Sequence, residues 1–217
     1  MKYVRFVDGE LLTVGKILCL GRNYPEHIKE MKAETALTPV VFIKPSTALV
    51  EHGGSVVIPA ISSDVHHEVE LVVVIGRAGH GVQEEKAMEH VAGYAVGLDM
   101  TLRDVQAEAK KRGLPWSVAK GFDTSAPVSS PVRREQVRDP HALSIELRVN
   151  GTLRQSSNTK HMLVRIPGII AYCSSVFSLE AGDLIFTGTP EGVGLVIPGD
   201  RIDAQIESVG SLTVGVR

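Results

Sequence analysis

Short apolar runs broken by polar punctuation dominate the chain. "KILCLG" (16–21), "VVFIK" (40–44) and "ELVVVIG" (70–76) are too short for helices and rich in β-branched residues. That pattern predicts strands. "AGYAVGLDM" (92–100) and "DLIFTG" (183–188) read the same way. The runs "LSIELRV" (143–149) and "TLRQ" (152–155) flank Asn150-Gly151, a two-residue pair that predicts a β-hairpin.

Helical signals are fewer. "PEHIKEM" begins at Pro25, a residue suited to a first helical turn. "TLRDVQAEAKKRG" opens with Thr101 and carries Asp104 three residues on, which resembles a capping box. It closes with basic residues and Gly113, a normal helix end. "IPGIIAYCSSVFSLEAG" (166–182) predicts a mostly apolar helix, and "EEKAMEHV" (84–91) a short one. Strands gathered at both ends with few helices between them argue against a doubly wound parallel sheet. The expected fold class is α+β, built round a mixed, rolled-up sheet. One domain is expected over 1–217, with residues 1–15 as a short N-terminal strand extension.

Composition excludes more than it selects. The chain has 217 residues and a formal net charge of -2, which gives no argument for nucleic acid or an anionic membrane. No stretch approaches the length of about 20 apolar residues that spans a bilayer. Cys19 and Cys173 are the two cysteines and form no metal motif. They are expected as buried free thiols in a reducing compartment. The N-terminus has neither signal-peptide nor transit-peptide character, so the expected localisation is cytoplasmic. Arg133, Arg134 and Arg138 in the loop-like stretch 129–141 are expected on a solvated surface.

The chemistry begins at "VHHEVELVVVIG" (65–76). Alternate residues of a strand share a face, so Glu68 and Glu70 point the same way, roughly 7 Å apart. They stand where a strand apolar on both faces enters the interior. Two like charges buried without partners cost several kcal/mol or take up a proton. A divalent cation removes the conflict; hydration at an exposed strand end also would. Asp99 stands at the end of a second apolar strand, where it either caps the next helix or joins the pair. Three carboxylates without His or Cys favour a hard cation, Mg²⁺ or Mn²⁺. They leave about three of six coordination positions for water and substrate, as in catalytic sites.

Seven segments then carry a resemblance: "GRNYPEHIKEM", "FIKPSTAL", "HHEVELVVVIG", "GLDMTLRDVQ", "GLPWSVAKGFDTSAPV", "LRVNGTLRQ" and "GDLIFTGTPEGVG". In this order and spacing the chain resembles the fumarylacetoacetate hydrolase superfamily. Its short length is similar to the acylpyruvase branch, also described as oxaloacetate decarboxylases. The resemblance implies a mixed β-sandwich roll, a homodimer, and Mg²⁺ or Mn²⁺ at Glu68, Glu70 and Asp99. It implies a small 2-keto acid substrate of the form R-CO-CH₂-CO-COO⁻, cleaved by way of pyruvate enolate.

The resemblance also suggests roles. His27 and Glu30, spaced i, i+3, would form a general-base pair on a lid over residues 24–38. Lys120 would face the metal and hold a substrate oxygen or relay a proton. Arg103, Gln106 and Thr189 would bind the substrate, Thr189 at its carboxylate. Arg22 is either a closing residue or structural. His66 and His67 are expected to support the site without ligating. Three readings follow: acylpyruvate hydrolysis; decarboxylation or keto-enol tautomerisation of oxaloacetate at the same site; and an inactive metal-binding structural protein. Hydrolysis alone is taken to need the His27–Glu30 pair.

Overall fold

The computed structural model describes residues 2–32, 34 and 38–217. Its centre is an eight-stranded mixed sheet. In spatial order the strands are Val40–Lys44, Ile17–Gly21, Leu184–Phe186, Val69–Ile75, Val91–Leu98, Ala126–Val128 and Leu49–Glu51. Val132–Arg133 pairs beside them, against Val91–Leu98. Leu184–Phe186 runs parallel to Ile17–Gly21 and antiparallel to Val69–Ile75. A five-stranded sheet stacks on this one, in the order Thr152–Asn158, Ser144–Val149, Arg201–Ile206, Gly210–Val216 and Ser55–Val56. The helices are α1 (Pro25–Glu30), α2 (Arg103–Arg112), α3 (Ser117–Lys120) and α4 (Ile166–Val176). The α+β expectation holds.

Two apolar layers explain why the central strand lacks alternation. Leu71, Val73 and Ile75 face the core shared with Ile145, Leu147, Leu212 and Ile170. Val72 and Val74 face the opposite side, with Cys19, Phe186 and the N-terminal Val4 and Phe6. Every residue of Val69–Ile75 is buried, Glu70 included. Each fully buried aliphatic contributes about 1.5–3 kcal/mol, enough for such a strand to hold a charged residue in place at its end.

The hairpin forms as its sequence predicts. Asn150 and Gly151 have φ of 50° and 79°, the paired positive values of a type I′ turn, and Val149 sits opposite Thr152. Both cysteines are free and buried. Burial pushes both thiols up, Cys173 to about 12. Arg133 is not simply solvated: it pairs with Asp8 at 2.7 Å and with Glu10, and its guanidinium lies 4.2 Å over the Phe6 ring. It thereby ties the N-terminal hairpin (Tyr3–Arg5 with Leu11–Thr13) to the sheet.

Two local expectations are corrected. The 65–76 run is broken at Glu68, and Val65–His67 belongs to a separate three-stranded sheet with Thr101–Leu102 and Gly194–Val196. The capping box at Thr101 does not form, and α2 starts at Arg103 without a side-chain cap. Thr101 Oγ1 instead donates to the Asp99 carbonyl and accepts from Lys120, while Asp104 accepts from Ser62 and Ser63. Tertiary partners outcompete the local cap. The short helix expected near 84–91 forms over 84–90, in the tighter 3₁₀ form. Residues 33 and 35–37 of the expected lid lie outside the described residues.

Candidate active site

The sheet register brings the three acids together. Val69 pairs with Leu98 and Glu70 with Gly97. One step further, the Asp99 N–H donates to the Glu68 carbonyl at 2.8 Å. Glu68 and Asp99 therefore face one another across neighbouring strands, with Glu70 two residues along. One carboxylate oxygen from each lies within 4.8 Å of the others. All three residues are at most 4% exposed, so they are not hydrated strand ends.

Three cations surround them. Lys120 Nζ reaches Glu68 Oε2 at 2.8 Å, Asp99 Oδ2 at 2.6 Å and Thr101 Oγ1 at 2.6 Å. Arg103 bonds Glu68 Oε1 and, at 2.8 Å, Gln106 Oε1. Lys44 Nζ lies 2.8 Å from Asp99 Oδ1. Its hydrogen bonds go elsewhere, to the carbonyls of Met100, Lys120 and Ser125. Asp99 Oδ1 is thus buried beside a positive charge yet accepts no hydrogen bond among the described residues.

The charges are unevenly compensated. Burial works against an ionised Glu68, but Lys120 and Arg103 outweigh it and hold the carboxyl well below its usual range. Glu70 has no such partner. Burial, then Asp99 and Glu68, push it well above the usual carboxylate range, against a 2.6 Å bond from the Gly188 N–H. A carboxyl pushed toward its neutral form at Glu70 and an unpartnered Asp99 oxygen fit an all-oxygen cation site without its ion. The residues fit a hard divalent cation, for which Glu68, Glu70 and Asp99 offer one oxygen each.

His27 Nδ1 lies 3.1 Å from Glu30 Oε2 on α1. Glu30 Oε1 also accepts the Gly192 N–H at 3.0 Å, which fixes the carboxylate behind the ring. Asn23 docks the start of this helix through Val164 and Thr187. A narrow cavity is lined by Glu68, Glu70, Asp99, His27, Lys120 and Thr189, with Arg103, Gln106 and Arg22 also present. Eight of the nine nominated residues therefore meet in one cavity, and Glu30 stands one bond behind His27.

The histidines ahead of the acids act at one remove. His66 contacts Asp64 at 2.9 Å and receives Arg103 Nε at 3.4 Å. His67 bonds Gln155 at 3.1 Å, and burial pushes its pKa down to about 4, so it is neutral near pH 7. Sequence reasoning gave no role to Lys44 or Gln155, although both lie in the motifs that carried the resemblance. The available signal for Lys44 was the one used for the acids, a charge closing an apolar strand. Gln155 gave none, since a polar residue in an alternating strand reads as exposed.

The sequence model described as fumarylacetoacetate (FAA) hydrolase C-terminal matches residues 16–217. Oxaloacetate tautomerase FAHD1, mitochondrial, of Rattus norvegicus is 54% identical over 196 residues, which span 90% of this chain and 89% of that protein. Its Arabidopsis thaliana counterpart is 47% identical over 201 residues, spanning 93% and 90%. A crystal structure of fumarylpyruvate hydrolase from Pseudomonas aeruginosa in complex with Mn²⁺ and pyruvate superposes with a TM-score of 0.95 at 38% identity, covering 99% of this chain and 95% of that one. The mitochondrial names do not fit an exclusively cytoplasmic protein. Among the described residues no helix is long and apolar enough to cross a membrane.

Proposed function

Because the chain belongs to the fumarylacetoacetate hydrolase family, we propose that it catalyses enolate chemistry on a small 2-oxo acid, foremost the keto-enol interconversion of oxaloacetate. The observation that carries this is a carboxylate-oriented imidazole, His27, facing a cavity floored by three convergent acids. The relatives named oxaloacetate tautomerase support the choice of substrate.

Glu68, Glu70 and Asp99 would hold Mg²⁺ or Mn²⁺. When bound, such an ion supplies Lewis acidity, drawing electron density from the 2-oxo oxygen. The chain's own residues do the rest. With Nδ1 engaged by Glu30, Nε2 is the ring nitrogen of His27 left for substrate. It takes a proton from C3; the C–H pair becomes the C2=C3 bond and the carbonyl pair moves to O2. O2 then takes up a proton, so the overall change is a shift of one proton from carbon to oxygen. Lys120 presents a buried positive charge where negative charge develops. Thr189 and Arg103 line the same cavity and suit the substrate carboxylate.

Hydrolysis of acylpyruvates to pyruvate and a carboxylic acid is the second reading. The same His27–Glu30 pair favours it, because a base that removes a C3 proton can also activate water. In this proposal the pair serves both routes, and not hydrolysis alone as expected from the sequence. The homodimer is carried as part of this proposal, and exposed Ile43, Leu114 and Val118 supply apolar surface for it. The proposed setting is a reducing compartment in which Cys19 and Cys173 stay thiols.

The test is an assay with Mg²⁺ or Mn²⁺ on oxaloacetate and acetylpyruvate. Following enol absorbance and pyruvate release together separates the routes. Enol loss without pyruvate supports tautomerisation; pyruvate from acetylpyruvate supports hydrolysis. No turnover of either by metal-loaded protein would leave the inactive metal-binding reading.

A further inference from the structure

Gln155 belongs to Thr152–Asn158, the edge strand of the five-stranded sheet, yet it is fully buried. Its amide sits in the seam between that sheet and the strand carrying Glu70. Oε1 accepts from the Val69 N–H at 3.0 Å and from His67 Nδ1 at 3.1 Å. Nε2 lies 2.9 Å from Thr189 Oγ1 and 2.9 Å from the Pro190 carbonyl.

This orientation is forced from both ends. The Val69 N–H can only donate, and the Pro190 carbonyl can only accept. The amide oxygen must face the first and the amide nitrogen the second. One Nε2 proton goes to Pro190, so the other goes to Thr189, whose hydroxyl is thereby made an acceptor. A hydroxyl has one proton to give, and among the described residues that of Thr189 has no acceptor. Thr189 is 4% exposed and lines the cavity shared with the three acids.

We propose that Gln155 is a positioning residue: by donating to Thr189 Oγ1 it commits the Thr189 hydroxyl as a hydrogen-bond donor to the carboxylate of a 2-oxo acid. Without that commitment the rotor can present a lone pair to the anion, which repels it. Accepting a bond from Gln155 also polarises the hydroxyl and strengthens it as a donor. The assignment rests on the 2-oxo acid reading given above.

The experiment measures pyruvate binding to Mn²⁺-loaded protein by calorimetry, with Mn²⁺ affinity recorded separately. Gln155→Glu keeps the size but replaces the donor with an acceptor, which turns the Thr189 proton inward. Thr189→Val removes the hydroxyl, and Thr189→Ser keeps it. Q155E and T189V are each expected to weaken pyruvate binding about 10-fold, with Mn²⁺ affinity little changed and T189S close to wild type. A double variant that joins Gln155→Met, which adds no charge, to T189V should bind no more weakly than T189V alone, because both lesions act on the same hydrogen bond. In turnover the KM for oxaloacetate should rise more than kcat falls.

If Q155E does not fold, Gln155→Met replaces it. Met supplies neither donor nor acceptor, and a smaller loss that again vanishes in the T189V background is expected. Losses that multiply in the double variant would show that Gln155 acts independently of Thr189, against the proposal. Equal pyruvate affinity in wild type and T189V overturns the assignment alone. Wild-type protein that binds Mn²⁺ but neither pyruvate nor oxaloacetate overturns the functional reading and this assignment with it.

Discussion

Asp99 donates its backbone N–H to the carbonyl of Glu68 at 2.8 Å, one step beyond the Val69–Leu98 pair, so the end of the sheet ladder holds two of the three acids face to face. No flexible loop intervenes between them. Their spacing is set by the same register that pairs Val69 with Leu98, and their side chains inherit the rigidity of a buried strand pair.

Asp99→Ala tests the acid cluster. It removes one oxygen donor and leaves Lys44 and Lys120 buried without the carboxylate between them. Mn²⁺ affinity should fall by at least about 100-fold, since disturbing even a supporting partner of a ligand costs 10–100-fold. Metal-free stability should fall by about 3–5 kcal/mol. Calorimetry with Mn²⁺ and urea denaturation read the two effects. Unchanged Mn²⁺ binding would remove Asp99 from the site.

Lys44→Met tests the buried lysine that sequence reasoning passed over. The substitution leaves the carbonyls of Met100, Lys120 and Ser125 without their shared donor and removes the charge beside Asp99 Oδ1, while Lys120 still pairs with Oδ2. A loss of about 3–5 kcal/mol is expected by chemical denaturation. A loss within experimental error would mean those carbonyls find water.

His27→Ala should abolish turnover of both oxaloacetate and acetylpyruvate and leave Mn²⁺ binding intact. His27 sits on α1, outside the acid cluster, so its loss removes a base and not a ligand. Glu30→Gln keeps the ring's neighbour but weakens its orientation, and a fall of about 10–100-fold in kcat is expected. Retained hydrolysis in His27→Ala, measured as pyruvate release, would eliminate the pair as the base.

Glu70 predicts a proton signature for metal binding. Burial and the neighbouring acids push its carboxyl well above the usual range, which favours a proton there in the metal-free protein. A bound cation displaces that proton, and Mn²⁺ affinity should rise with pH. Calorimetric titrations in two buffers of different ionisation enthalpy should give different apparent heats; equal heats would contradict a protonated Glu70.

His67 predicts a stability change on acidification. Burial lowers its pKa from 6.5 to about 4 in the folded chain. Between those values the unfolded chain binds more protons, so stability rises with pH in this window and is lost as pH falls through it. The full contribution is roughly 3 kcal/mol at 1.36 kcal/mol per pKa unit. Urea denaturation of wild type and His67→Asn across pH 4–6.5 isolates it. The variant should show the shallower dependence; parallel slopes would be the contrary result.

Much of this was legible in the chain. Apolar runs located the strands, Asn150-Gly151 located the hairpin, and two acids at the mouth of a doubly buried strand raised the cation question. These signals are local: strand burial needs apolar residues on both faces, and a type I′ turn needs residues that tolerate positive φ. The Thr101 capping box misled because a capping signal is also local, while the Thr101 hydroxyl was claimed by Lys120, 19 residues away.

The sequence by itself determined which groups were available: three acids, a His-Glu pair at helical spacing, and the strands to carry them. Only the tertiary structure decided how they are compensated. The register that sets Glu68 opposite Asp99, the burial of Lys44 among three carbonyls and the four bonds of Gln155 all join residues far apart in the chain. The physical reason is that a buried charge or amide is stable only where every partner is already in place, and those partners come from several strands at once.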